Sequence, residues 1–137
     1  MADASDTKLT SLSCTDLTSV ERSAAARTTN NLFQRWEIND IQSRRILGGM
    51  SAHRWLRWKA GDFGEIEQDI ATRLMLLLGL HVSLRTIFGA DTARAYGWVK
   101  APNSAFAGAS ALDIMQQQSI KSLEDLHRYL GAQCHGG

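Results

Sequence analysis

A single proline and two cysteines in 137 residues exclude several kinds of protein at once. So little proline rules out a rigid proline-rich linker. Cys14 and Cys134 stand near opposite ends and belong to no CxxC pair, so no disulfide framework or zinc-ligand spacing is present. A bridge between those two is chemically open, but nothing in the sequence argues for one. There is no signal-peptide pattern. The longest apolar run near membrane character, Leu74 to Leu80, is far shorter than the ~20 residues a span needs. These absences together point to a cytoplasmic protein that does not enter a membrane.

Catalytic groupings are lacking too. His53, His81, His127 and His135 are scattered, with no ligand pair within one helix. Cys134-His135 at the extreme end is too isolated for a metal site. No glycine-rich loop is placed to cradle phosphate, and no Ser–His–Asp or Cys–His arrangement has supporting context. The expectation is a non-enzyme with no catalytic residues, no metal and no cofactor.

What is present favours helices. Apolar residues make up 44% of the chain, enough for one compact domain or two very small ones. β-branched residues are few, which fits helices better than strands. Ala25, Leu32, Phe33 and Trp36 can share one face of a helix from Ala24 to about Trp36. Asn39 or Asp40 caps a short helix ending at Gly48-Gly49, and Ser51 caps another that Gly61 terminates. Asp62, Glu65, Glu67 and Asp69 suit the positive start of a further helix better than acid–base work. That helix carries Ile66, Ile70, Leu74 and Leu77, then Leu80, Leu84, Ile87 and Phe88 up to Gly89. It is apolar all round from Leu74 to Leu78, the mark of a central buried helix. Asp91 caps a helix over 92–99, and Ser110 with Asp113 forms a capping box. A last helix bears Leu123, Leu126 and Leu130, with Gly131, Gly136 and Gly137 leaving a loose end. No segment alternates with period two. The fold expected is all-α.

Charge is segregated although the net value is only +1. Residues 1–21, rich in Ser, Thr and Asp, carry −3 and read as a flexible tail. Residues 22–61 hold eight bases against Glu37 and Asp40, a net +6, and residues 62–137 carry −2. A basic module beside a mildly acidic one suggests that the first meets a polyanion. The alternative is a solvated basic face.

The basic module has the layout of a helix-turn-helix: Asp40–Leu47, then Gly48-Gly49-Met50, then Ser51–Lys59. Met50, Trp55 and Trp58 face inward, whereas His53, Arg54 and Arg57 face out. Arg54 and Arg57 can read guanine edges, and Ser51 and Lys59 suit phosphates. Two features depart from the pattern. Arg44 stands where a small residue is usual, and Leu56 lies on the outward side.

Taken together, residues 31–131 resemble the Xre/MbcA/ParS class of antitoxins. The match is carried by Leu47-Gly48-Gly49-Met50-Ser51 through Arg57-Trp58-Lys59-Ala60-Gly61, by Ala71-Thr72-Arg73-Leu74 through Leu78-Gly79 with Leu84 and Phe88, and by Trp98, Pro102-Asn103, Phe106, Gly108 and Ser110 leading to Arg128-Tyr129-Leu130. The resemblance implies an Xre-like helix-turn-helix bundle (22–61) joined to a small helical toxin-binding domain (62–137). It implies a type II antitoxin whose protein partner is a RES-domain toxin acting on NAD, with operator DNA as second partner and a homodimer within a larger complex. The C-terminal end would block the toxin's active-site cleft, through His127, Arg128, Tyr129, Leu130, Gln133 and His135, with Arg128 and Tyr129 the anchors. Pro102-Asn103 fixes its loop. Relatives end the last helix Tyr-Leu-Asp, so Gly131 predicts that the tail leaves the helix one residue early. The competing reading is a stand-alone regulator whose C-terminal helices only dimerise or sense a ligand.

Overall fold

The computed structural model describes residues 17–136, and the expected tail lies outside them up to residue 16, together with Cys14. Within them the fold is all-helical, as expected, with seven α-helices and one short 3-10 turn. They are α1 (Ser19–Arg35), α2 (Asp40–Ile46), α3 (Ala52–Lys59), α4 (Gln68–Phe88), α5 (Thr92–Lys100), the 3-10 turn (Ser104–Phe106), α6 (Ala111–Met115) and α7 (Ile120–Gly136).

The caps follow local chemistry. Asn39, Ser51, Asp91 and Ser110 each accept a backbone N–H from the first turn that follows. Asn39 with Gln42, and Ser110 with Asp113, close reciprocal capping boxes. α1 begins earlier than the tail boundary at residue 21 predicts. Thr18 and Glu21 form a capping box, with Thr18 N donating to Glu21 Oε1 at 2.9 Å and Glu21 N to Thr18 Oγ1 at 3.1 Å. That box supplies the start that the polar composition hid.

α4 is the central element. It packs most extensively on α7, then on α1 and α5. Leu74, Leu77, Leu80 and Leu84 are buried along it, as are Ile66 just before it and Ile70. Ile87 departs from this stripe and is exposed, whereas Phe88, four residues after Leu84, is partly buried against the core. At 21 residues α4 is longer than the apolar run of the sequence, and by length and composition it is apolar enough to cross a membrane. Here it serves as a core helix: its buried leucines face other helices and it carries the Asp69–Arg73 ion pair. One continuous cluster of buried side chains runs from Ala26 to Leu130.

α7 crosses α4 at Gly79. A Cβ there would overlap the imidazole of His127. Gly79 is therefore a close-approach glycine, and the continuous helix absorbs its entropic cost of about 1 kcal/mol. Gly131 does not end α7, contrary to the sequence expectation. The helix continues to Gly136, held where Cys134 Sγ donates to the Ser83 carbonyl at 3.6 Å.

The α2–α3 turn shows why Arg44 replaces a small residue. The Arg44 carbonyl accepts from Gly49 N and Met50 N at 2.8 and 3.0 Å, and its Nε donates to the Met50 carbonyl at 2.8 Å. The side chain thus tightens the turn rather than crowding it. Gly48 adopts φ +90°, and any Cβ there would meet the guanidinium of Arg73, itself only 6% exposed and paired with Asp69. Alanine at this position is excluded both by backbone conformation and by that buried neighbour.

Candidate functional site

α3 is positioned by what it buries. Trp55 and Trp58 enter the core, and Met50 packs just before the helix. Trp55 Nε1 donates to Asp40 Oδ1 at 3.1 Å, and the Trp58 carbonyl accepts from Asn30 Nδ2 at 3.0 Å. Trp58 also meets Phe63 edge-on, with ring centroids 4.9 Å apart. The opposite side presents Ser51, His53, Arg57 and Lys59 to solvent, with Arg54 half-buried. Leu56 is 66% exposed among them. The inward assignments of Met50, Trp55 and Trp58 and the outward ones of His53 and Arg57 match the structure, whereas Arg54, read as outward, is half-buried with its guanidinium over the Trp58 ring.

The charge on that outward face differs from the sequence expectation. Arg54 grips Glu67 with two hydrogen bonds, Nη2 to Oε1 at 2.6 Å and Nη1 to Oε2 at 2.9 Å, and Nη2 also donates to the Glu65 carbonyl at 3.2 Å. Arg57 Nε pairs with Asp62 Oδ2 at 3.0 Å, and Lys59 Nζ with Asp40 Oδ1 at 3.0 Å. These bases and two of their acids, Asp62 and Glu67, lie on either side of residue 61, although the fold sets them side by side. The acids also sit differently from their predicted place. Asp62 and Glu65 precede α4, and Glu67 stands at its N-cap with no side-chain capping bond. Arg54 holds the Glu67 carboxyl below its usual range, and Trp55 and then Lys59 do the same for Asp40. Between the two walls lies an open cleft of about 580 Å³, lined by His53, Arg54 and Arg57 opposite Asp62, Glu65 and Glu67.

A second surface forms at the other end of the chain. The Trp98, Phe106 and Tyr129 rings make a row of edge-to-face contacts, with centroids 6.1 and 5.0 Å apart. Asn103 is the hub of the loop between them. Its side chain accepts from Ala105 N at 2.9 Å, its carbonyl accepts from Phe106 N and Gly108 N, and its own N–H donates to the Ala109 carbonyl. Asn103 of the Pro102-Asn103 pair therefore fixes the loop, and the loop delivers Phe106 to Tyr129. The spaced aromatic signature is one packed unit in space.

The candidates on α7 separate by burial. Arg128 and Gln133 are exposed, and Tyr129 is half-buried on Phe106. Leu130 is 2% exposed, so its side chain belongs to the core and leaves the set of surface candidates. It falls four residues after Leu126 and seven after Leu123, on the stripe facing α4. His127 is half-buried with its ring against Gly79, which gives it a packing role. The side chain of His135 lies outside the described part. Arg128 Nη1 pairs with Asp125 Oδ1 at 3.0 Å, and Lys121 Nζ with Asp125 Oδ2 at 2.9 Å. Lys121 and Arg128 hold the Asp125 carboxyl below its usual range. Elsewhere on α4, burial first and then the nearby Arg85 and Arg35 push His81 below the ordinary histidine value. Among the described residues no group of His, Cys, Asp and Glu is arranged to hold a metal ion.

Comparison with known proteins places this second surface. Residues 83–136 match the model of the antitoxin Xre/MbcA/ParS C-terminal toxin-binding domain, a segment running from the end of α4 through α7. The chain is also 32% identical over 105 residues to the uncharacterized protein y4oB of Sinorhizobium fredii, across 77% of this chain and 80% of that protein. No solved structure matches.

Proposed function

The chain belongs to the Xre/MbcA/ParS family of antitoxins and carries its toxin-binding domain, and we propose from that premise that its target is a RES-domain toxin that consumes NAD. In this reading the chain is a cytoplasmic, non-enzymatic inhibitor. Residues 62–137 bind the toxin, and the C-terminal end of α7 covers the cleft where NAD reacts. Residues 22–61 bind operator DNA through Ser51, His53, Arg54, Arg57 and Lys59, so that the protein, as a homodimer in a larger complex with the toxin, represses its own operon.

The observation that carries this proposal is the domain match over residues 83–136. The surface chemistry supports it. α7 offers an exposed Arg128 next to a half-buried Tyr129, the residue types that concentrate binding energy at interfaces. The Tyr129 ring is braced by Phe106 and, through it, by Trp98, so it is held in place before binding.

Burial decides how the C-terminal role is tested. A cut before Leu126 would remove two core leucines and unfold the protein, so the useful cut falls after Leu130. A chain ending at Leu130 keeps the packed face of α7 and loses only its end. Co-expressed with the RES-domain toxin of its operon, the shortened chain is expected to co-purify with the toxin yet fail to protect growth. Full protection by the shortened chain would show that the end of α7 does not cover the cleft.

A further inference from the structure

The α3 side chains proposed to contact DNA bases are already engaged within the chain. All three long cationic side chains on the outward face of α3, namely Arg54, Arg57 and Lys59, sit on a carboxylate of the same chain. Two of those carboxylates, Asp62 and Glu67, come from the short irregular segment between α3 and α4. The Arg54–Glu67 contact has the forked two-bond geometry with which a guanidinium grips phosphate or the edge of guanine.

Several features show that this segment is held in place. Gly61 at φ +89° and Gly64 at φ +60° let the chain double back along α3. Phe63 is buried against Trp58, and Arg27 lies over its ring with Cζ 6.0 Å from the centroid. Arg22 Nη1 donates to the Ile66 carbonyl at 2.6 Å. Glu67 meanwhile occupies the N-cap of a 21-residue helix without capping it, its carboxylate spent on Arg54. The cleft between the two charged walls is open to solvent, so a backbone phosphate has access to the same guanidinium groups.

We propose that segment 62–67 is a built-in competitor of DNA, in which Glu67 and Asp62 occupy Arg54 and Arg57 as phosphates or base edges would and must be displaced before α3 engages a duplex. This rests on the DNA reading of α3. The competitor tunes affinity rather than blocking it, because each pair is at least one-third exposed and such pairs are weak. It also keeps the face neutral when no duplex is present, which limits binding to arbitrary nucleic acid.

The test uses the full chain and a fluorescein-labelled duplex of the sequence immediately upstream of its gene, titrated by anisotropy. Removing one exposed pair frees about 1 kcal/mol at most, so Glu67→Gln is expected to bind up to about fivefold more tightly, and Asp62→Asn to show a smaller gain. The gain from Glu67→Gln should vanish in an Arg54→Ala background. Equal affinity of the wild-type chain and both single variants overturns the competitor while leaving DNA binding intact. So does an undiminished gain in the Arg54→Ala background, which would be a diffuse charge effect. No binding by any folded variant overturns the DNA reading itself, and the competitor with it.

Discussion

Replacing Leu126 by Ala is expected to lower the unfolding free energy by about 2–5 kcal/mol, a large fraction of what a domain of this size possesses. Leu126 is 2% exposed, and it lies on the stripe of α7 that packs on α4, between Leu123 and Leu130. Truncation there leaves a cavity between the two helices that pack most extensively, and neither can close it easily. α7 is pinned to α4 at Gly79, where the His127 ring already fills the space a Cβ would need. Urea unfolding followed by circular dichroism measures the effect as a drop in midpoint at constant slope. A loss under about 1 kcal/mol would mean that α7 is not docked along α4 in solution.

Arg128→Ala, two residues along the same helix, should behave in the opposite way. The arginine is exposed, and its contact with Asp125 is a surface pair that leaves Lys121 still paired to the same carboxylate. Its removal is expected to change stability by less than about 0.5 kcal/mol. As the proposed interface anchor next to the braced Tyr129 ring, it is expected to contribute about 2 kcal/mol to toxin binding, a loss of roughly 30-fold in affinity. Calorimetric titration into the purified toxin, alongside a thermal melt, separates the two quantities. Unchanged affinity with unchanged stability would remove Arg128 from the interface. The contrast between Leu126 and Arg128 matters because the sequence places both in one short segment, and only burial distinguishes a fold residue from a surface one.

That distinction explains what could be read in advance. Helix starts at Ser51, Asp91 and Ser110 were legible because a cap is a local hydrogen bond across three residues. The start of α1 carries the same kind of signal in Thr18 and Glu21, but it lies inside a polar stretch whose composition suggested a tail. The Trp98 to Phe106 spacing was legible as a pattern, whereas its contact with Tyr129 needs the loop that Asn103 organises. The pairing of Arg54 with Glu67 spans thirteen positions and depends on Gly61, Phe63 and Gly64 turning the chain back, so no periodicity reveals it. Charge counted in consecutive segments therefore showed a basic face where the folded chain presents paired charges. Leu130 entered the surface candidates by proximity to Arg128 and Tyr129, although its spacing from Leu123 and Leu126 already marked it as core.

We propose above all that this antitoxin silences an NAD-consuming RES-domain toxin by covering its active site. The most direct measurement is to mix the toxin of its operon with NAD and follow NAD concentration as the purified chain is titrated in. Consumption is expected to fall in proportion to added chain and to stop once every toxin active site is matched. Continued consumption at full rate under a saturating excess of folded chain would contradict it.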